Sequence, residues 1–262
     1  MNISITNLQK AESFCGLFQH MKLFTENINI MFETNRLFIQ TMDSSHVSII
    51  DISIPSSWFD EYKHTNSSSL TIGINSTLLS RILSTRDKNQ IINIELSSED
   101  SDQLFIYFTG DDKSVFDKHF EVPLLDIEQE ILAIPNTEAN AEFSLLSVHF
   151  SNLINQLKLF GSDLNINCSE EEITLCANSP ESGKMQVNID IAELSEYSID
   201  EGSSLKMSFS LSCLHNICAY NKQSKEIQIR LTADQPLQVI YLIGGDPDAR
   251  LRIYLAPKIS DD

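Results

Sequence analysis

The chain carries one sequence pattern twice, and this internal repeat constrains its fold more than any other feature. Residues 14–24 match residues 150–160 without a gap, and they share phenylalanine, leucine and lysine positions. The match continues at the same spacing from residues 28–30 onto residues 164–166. An ungapped match that continues downstream indicates two copies of one structural unit in a single chain.

Each copy predicts an α+β plan with two helices packed on β-sheets. Apolar residues recur at helical spacing after Phe14 and again after Phe150, which predicts one amphipathic helix per copy. A second helix is predicted at residues 75–85, with a weaker counterpart at 212–220. Short β-rich runs separated by Asp, Asn, Ser and Gly turns make up most of the rest. This pattern is typical of an α+β fold with helices on one side of its sheets.

The net charge of −19 is unevenly distributed along the chain. Four windows that cover the predicted helices, 10–23, 75–88, 147–160 and 212–225, hold only two of the 37 acidic residues. The same windows hold these basic residues: Lys10, Lys22, Arg81, Arg86, Lys88, Lys158, Lys222 and Lys225. A basic helical face can follow DNA phosphates, while an acidic remainder repels DNA. On charge alone, surface helices that simply carry lysine explain the pattern equally well.

Composition and motifs argue against several other classes of protein. No apolar run approaches the roughly 18 residues that span a bilayer, and the N-terminus lacks the features of a secretory signal. The cysteines form no Cys-x-x-Cys pair and mostly lie in apolar segments, which indicates reduced thiols in a cytosolic or nuclear compartment. No nucleotide-binding, serine-hydrolase or zinc-protease motif is present. Residues 244–248 lie between two predicted strands and are interpreted as a hairpin turn rather than a phosphate-binding loop. The sequence therefore predicts no enzyme, no cofactor, no metal site and no membrane association.

Three stretches carry a more specific pattern. Residues 37–48 contain the string Met42-Asp-Ser-Ser-His-Val47, residues 124–135 lie between the two repeats, and residues 251–259 end in Tyr254-Leu-Ala-Pro-Lys-Ile259. These resemble, in order, the pocket-forming strand end, the interdomain connecting loop and the last strand with its tail in the eukaryotic PCNA (proliferating cell nuclear antigen) family. The resemblance covers the whole chain. It implies a DNA-clamp fold in which three subunits of two similar domains form a ring, with twelve helices lining the hole.

The resemblance implies a non-enzymatic DNA polymerase processivity factor, a homotrimeric sliding clamp in the nucleus, or in a viral replication compartment if the gene is viral. The expected partners are double-stranded DNA, other copies of the chain, a clamp loader, and proteins such as DNA polymerase, flap endonuclease and DNA ligase. These proteins would dock a Gln-x-x-aliphatic-x-x-aromatic-aromatic peptide in a hydrophobic pocket, while the eight basic residues above would face DNA. Carried over position by position, the pocket residues are Met42, His46, Val47, Ile49, Leu132, Ile134, Pro135, Pro236, Tyr254 and Pro257.

The resemblance also implies domain boundaries and a subunit contact. The implied division is an N-terminal clamp domain 1–123, a connecting loop 124–139 and a C-terminal clamp domain 140–262. Phe120 stands where the family usually has a tyrosine at the subunit contact, and its partner strand is expected around residues 183–189, which include Val187. The position of the family's ubiquitin-accepting lysine falls on Glu170. The alternative function is a subunit of a specialised or heteromeric clamp, such as a checkpoint clamp.

Overall fold

The chain folds into two compact units. The computed structural model describes residues 1–64, 69–96, 102–110, 115–135 and 137–258. The first unit contains Met1–Ser44, Ile50–Leu132 and Leu242–Leu251, and the second contains Ser45–Ile49, Ala133–Tyr241 and Arg252–Asp262. Each unit therefore holds most of one sequence repeat, while the domain boundaries given above stay a prediction.

Both helices predicted for the first repeat are present. Helix α1 spans Leu8–Met21 and helix α2 spans Ser76–Leu83. An asparagine side chain caps each N-terminus by accepting hydrogen bonds from the first turn, Asn7 for α1 and Asn75 for α2. The apolar stripe of α1 that begins at Phe14 is buried, and the two helices pack against each other. Helical periodicity in the sequence was thus a sufficient signal for both.

The strands of the first unit form two antiparallel layers. They are β1 (Asn2–Ile5), β2 (Asn27–Phe32), β3 (Arg36–Met42), most of β4 (Ser48–Pro55), β5 (Glu61–Lys63), β6 (Leu70–Asn75), β7 (Ile91–Glu95), β8 (Gln103–Thr109) and β9 (Lys118–Pro123). One sheet has the order β5-β1-β7-β8-β9, and the remaining strands have the order β4-β3-β2-β6. Among the described residues β9 pairs with β8 alone, so it is an edge strand.

The second unit repeats this arrangement element by element. Its helices are α3 (Ser147–Leu157) and α4 (Leu211–Ile217). Its strands are β10 (Ala141–Leu146), β11 (Asp163–Cys168), β12 (Glu172–Ser179), β13 (Gly183–Asp190), β14 (Glu196–Ile199), β15 (Leu205–Ser210), β16 (Glu226–Leu231), most of β17 (Leu237–Leu242) and most of β18 (Arg250–Leu255). They have the orders β14-β10-β16-β17-β18 and β13-β12-β11-β15. In the described residues, helices and strands follow one another identically in the two halves, which confirms the α+β plan expected from the repeat.

The turn between β17 and β18 and the cysteines are also as predicted. Gly244 and Gly245 adopt positive φ values of 64° and 78°, which a tight turn requires and which glycine adopts without strain. All five cysteines are free thiols that are buried or half-buried. Burial raises the pKa of Cys168 and of Cys218 to about 12, so both remain protonated at neutral pH. Within the described part of the chain, no helix has the length and apolar character needed to cross a membrane.

Candidate functional site

The connecting segment, residues 124–132, lies on the sheet of the first unit that contains β6, β2 and β3. The N–H of Leu125 donates to the carbonyl oxygen of Gly73 at 2.9 Å, and Nδ2 of Asn29 donates to the carbonyl oxygen of Ile127 at 3.0 Å. A Cβ atom at Gly73 would lie 2.3 Å from the carbonyl oxygen of Leu125 and 2.7 Å from Cδ1 of Ile127. The missing side chain of Gly73 therefore permits the segment to approach the sheet this closely.

Gln40 on β3 holds the far end of the connecting segment. Its Nε2 donates to the carbonyl oxygen of Leu132 at 3.1 Å, and its Oε1 accepts from the N–H of Leu132 at 2.7 Å. The main-chain carbonyl oxygen of Gln40 accepts a further hydrogen bond from Nε2 of Gln129. Gln40 is only 4% exposed, so these bonds lie away from bulk water. The amide of Gln40 thus pairs with both main-chain groups of Leu132, as a neighbouring strand would.

The anchored segment exposes apolar side chains among acidic ones. Leu125, Ile131 and Leu132 are 41%, 45% and 38% exposed. Their exposed acidic neighbours are Asp126, Glu128 and Glu130. Exposed apolar side chains that a fixed backbone holds in place are typical of a protein-binding surface. The segment is therefore suited to contact an apolar partner.

The ten pocket residues inferred from the resemblance are divided between the two units. Met42, half-buried at the end of β3, and Leu132 belong to the first unit. The others belong to the second: His46, Val47, Ile49, Ile134, Pro135, Pro236, Tyr254 and Pro257. Their assignment to a single pocket stays a prediction.

In the second unit, the residues Ser45–Ile49 lie beside the end of β18 and the residues that follow it. The N–H of Ala256 donates to the carbonyl oxygen of Val47 at 2.9 Å, and the Val47 side chain is 38% exposed. The hydroxyl of Tyr254 accepts a hydrogen bond from Nε2 of Gln238 at 3.0 Å, which fixes the polar end of its ring. The exposed Val47 and the half-buried Tyr254 therefore lie on neighbouring segments of the second unit.

Six of the eight basic side chains expected to face DNA are exposed. They are Lys22, Arg81, Lys88, Lys158, Lys222 and Lys225. Lys22 and Lys158 end α1 and α3 at equivalent positions of the repeat, and Arg81 lies in the last turn of α2. Exposed cations of this kind can bind phosphates without reading sequence. Their contact with DNA stays a prediction.

The other two basic side chains are bound to the protein itself. Nζ of Lys10 donates to the carbonyl oxygen of Trp58 at 2.5 Å and lies 5.3 Å from the centre of the indole ring. Nη1 of Arg86 donates to three carbonyl oxygens in the loop after α2, the nearest being that of Gln90 at 2.6 Å. Both side chains are half-buried. Their hydrogen bonds make Lys10 and Arg86 less available to a phosphate than the six exposed residues.

The entry to α1 depends on the carboxylate of Asp60. Its Oδ2 accepts hydrogen bonds from the N–H of Thr6 at 2.6 Å and of Asn7 at 3.2 Å. Burial acts to raise the pKa of Asp60, but these hydrogen bonds and the nearby charge of Lys10 outweigh it and lower the pKa. Asp60 is therefore ionised at neutral pH, in the form that accepts both bonds.

Each unit presents an edge strand that carries a residue expected at the subunit contact. Phe120 lies on β9 with its ring centre 5.4 Å from that of Phe108, and Val187 lies half-buried on β13. Among the described residues β13, like β9, has a partner strand on one side alone. Unpaired N–H and C=O groups along such an edge are a template for pairing with another chain. The role of Phe120 and Val187 at a subunit contact stays a prediction.

Sequence reasoning missed Asn29, Gln40 and Gly73, which anchor the connecting segment. Asn29 and Gly73 each interrupt a run of apolar residues within a strand, and Gln40 ends the apolar run that begins at Leu37. A buried polar side chain needs a hydrogen-bond partner, and a glycine inside a strand often marks the close approach of another backbone. These positions in the strand patterns were the available signal, although they do not indicate which part of the chain approaches.

Two domains of one topology, each with two helices packed on antiparallel sheets, define an α+β protein of the DNA-clamp class. Family profiles of the proliferating cell nuclear antigen N-terminal and C-terminal domains match residues 5–131 and 133–259. A proliferating cell nuclear antigen of Chaetomium thermophilum is 26% identical over 261 residues, which cover 97% of this chain and 98% of that protein. The chain belongs to the PCNA family.

Family membership supports a sliding-clamp role for the chain in DNA replication and repair. PCNA proteins are non-enzymatic processivity factors that assemble with one another, associate with DNA and bind replication proteins. The family inferred from the stretches at 37–48, 124–135 and 251–259 is confirmed by the two profile matches.

Proposed function

We propose that the chain is the subunit of a homotrimeric sliding clamp, which encircles duplex DNA and tethers replication and repair proteins through a peptide-binding pocket. It performs this role without catalysis of its own, in the nucleus or in a viral replication compartment. The observation that carries the proposal is that β9 and β13, the strands that contain Phe120 and Val187, are both edge strands, one in each repeated unit.

Edge strands on different units permit a head-to-tail assembly. If β9 of one copy pairs with β13 of the next, each copy uses two different surfaces, and such head-to-tail contacts close into a ring when the rotation permits. Phe120 and Val187 would then lie within the contact. The family to which the chain belongs supports closure with three copies.

Charge supports DNA as the molecule inside the ring. The exposed Lys and Arg residues on and after the helices can follow phosphates, whereas the chain as a whole carries −19 and repels DNA. A ring that is held on DNA by topology needs weak, sequence-independent contacts on its inner face. Because this clamp has to be opened to enclose DNA, a clamp loader is a further partner.

The connecting segment supports a partner-peptide pocket. Its anchored backbone exposes Ile131 and Leu132, which suit the aliphatic and aromatic side chains of a short peptide. DNA polymerase, flap endonuclease and DNA ligase are the partner classes that carry such peptides. The remaining pocket residues are those inferred from the resemblance.

Light scattering over a dilution series tests the proposal. A mass of three times 29.6 kDa that persists on dilution is the expected result. A Val187→Glu variant should lower this mass, whereas Asn178→Glu, at an exposed position on the paired strand β12, should not. A monomer at every concentration would contradict the homotrimer and favour the heteromeric clamp instead.

A further inference from the structure

We propose that Gln40 is a positioning residue for partner binding, which holds the connecting segment, residues 124–132, in its binding-ready form without contacting the partner itself. The inference rests on the proposed partner-binding function. It concerns the hydrogen bonds of the buried Gln40 side chain. Gln40 belongs neither to the predicted pocket nor to the predicted DNA-facing and subunit surfaces.

The connecting segment crosses three neighbouring strands, and each strand supplies one anchor. Along the segment these anchors are Gly73 on β6, Asn29 on β2 and Gln40 on β3. A segment that crosses strands cannot gain the regular ladder of main-chain hydrogen bonds that a parallel or antiparallel neighbour makes. Its N–H and C=O groups therefore depend on individual partners. Gln40 supplies two such partners to a single residue, Leu132, at the end of the segment that carries the exposed apolar side chains.

The second repeat provides an internal comparison. Cys176 lies 136 residues after Gln40, which is the spacing that aligns residues 14–24 with residues 150–160. Ser208 is the counterpart of Gly73 by strand pairing, because it lies opposite Asn165 as Gly73 lies opposite Asn29. Cys176 and Ser208 both lie opposite Asn165 in their sheet, and the three residues line an open cavity of about 580 Å³. The first repeat, whose sheet carries the connecting segment, thus has a glutamine that pairs with the segment and a glycine that makes room for it. The second repeat has a cysteine and a serine instead. This difference indicates that Gln40 serves the segment rather than the sheet.

The expected energetic role of Gln40 is pre-organisation. When the amide of Gln40 holds Leu132, a partner peptide meets a segment whose end is already ordered. Without that amide the partner has to order the segment during binding, which reduces affinity although no contact with the partner is lost. The loss of two ordinary hydrogen bonds predicts about tenfold weaker binding.

The experiment compares Gln40→Met with wild-type full-length protein. Methionine resembles glutamine in size but neither donates nor accepts a strong hydrogen bond. Gln228→Met is the matched control, because Gln228 is a strand glutamine of the second unit that donates to Glu142. The readouts are hydrogen–deuterium exchange of residues 125–132 and the calorimetric Kd of a synthetic peptide with the Gln-x-x-Leu-x-x-Phe-Phe pattern.

The expected result is faster exchange confined to residues 125–132 in Gln40→Met, about tenfold weaker peptide binding, and wild-type behaviour of Gln228→Met. Saturating peptide should remove the difference in exchange, since the bound partner then orders the segment. Faster exchange throughout β2, β3 and β6 would instead show a general loss of stability and would overturn the proposal. So would unchanged peptide affinity, or weaker affinity with unchanged exchange of the segment.

A second variant separates this inference from the proposed function. Leu132→Ala with Ile134→Ala removes two predicted pocket side chains but leaves the main chain that Gln40 holds. It should abolish peptide binding while residues 125–132 exchange as in the wild type. If wild-type protein binds no such peptide, the proposed pocket is wrong. Faster segment exchange in Gln40→Met would then still support Gln40 as the residue that holds the segment, and unchanged exchange would overturn that too.

Discussion

Replacement of Gly73 by alanine should release the start of the connecting segment from the sheet. The added Cβ would lie 2.3 Å from the carbonyl oxygen of Leu125, whereas uncharged atoms in ordinary contact lie about 3.5 Å apart. The obstructing atom belongs to the main chain, so a rotamer change cannot remove the clash. The segment therefore has to move by roughly 1 Å at this point.

The cost follows from the hydrogen bonds that such a movement breaks. Loss of the 2.9 Å bond from Leu125 to Gly73 costs about 1 kcal/mol. If Ile127 moves as well, the amide of Asn29, which is 6% exposed, loses its acceptor at a cost of about 1–3 kcal/mol. The total of about 2–4 kcal/mol shifts the docking equilibrium of the segment by about thirtyfold or more. The free energy of global unfolding should fall less, because alanine reduces the entropy of the unfolded chain by about 0.4–1 kcal/mol.

Hydrogen–deuterium exchange of residues 125–132 and calorimetric peptide binding measure this effect. Gly73→Ala should exchange faster in the segment and bind the peptide more weakly. Thr71→Ala, at an exposed position of the same strand, should match the wild type. Exchange and affinity that stay at wild-type values in Gly73→Ala would refute the argument that a missing Cβ permits the segment to dock.

Two further predictions concern charge. Arg81→Glu combined with Lys158→Glu should weaken DNA association and polymerase processivity without lowering Tm, because both side chains are exposed. The slope of log Kd against log salt should fall by about one unit per lost contact. Unchanged processivity would contradict the DNA-facing assignment. The lowered pKa of Asp60 predicts a stabilisation that is present above its unfolded-state pKa of about 4 and is lost as pH falls through the lower folded-state value. Asp60→Asn should therefore be less stable than wild type in urea unfolding near pH 7, and the two should converge in acid; a difference that is constant with pH would contradict this.

The helices could be predicted because helical spacing of apolar residues is a local pattern. The repeat could be predicted because the two halves share that pattern. The buried stripe that begins at Phe14 and its counterpart at Phe150 arise from helical spacing alone. Strand pairing is different, since it joins residues far apart in the chain. Nothing local in the short β5 (Glu61–Lys63) indicates that it pairs with β1, and nothing local indicates that β9 and β13 lie at sheet edges.

The same distinction applies to the candidate site. Charge alone placed Lys10 and Arg86 with the exposed basic residues, because a sequence does not show that the Lys10 ammonium reaches the carbonyl oxygen of Trp58. Leu132 was identified from its resemblance to a family segment, but its support by Gln40 became visible only in the fold. Long-range hydrogen bonds are therefore the part of the site that sequence patterns leave undetermined.

Because the two units share one topology, a copy of the connecting segment could be placed on the second unit. The residues after β18 begin along the same path, since the N–H of Lys258 donates to the carbonyl oxygen of Ser208 as that of Leu125 donates to Gly73. Beyond that bond lies the open cavity beside Cys176. A chain extended after Lys258 with a copy of the connecting segment, and given glycine at 208 and glutamine at 176, would carry two docking segments per subunit.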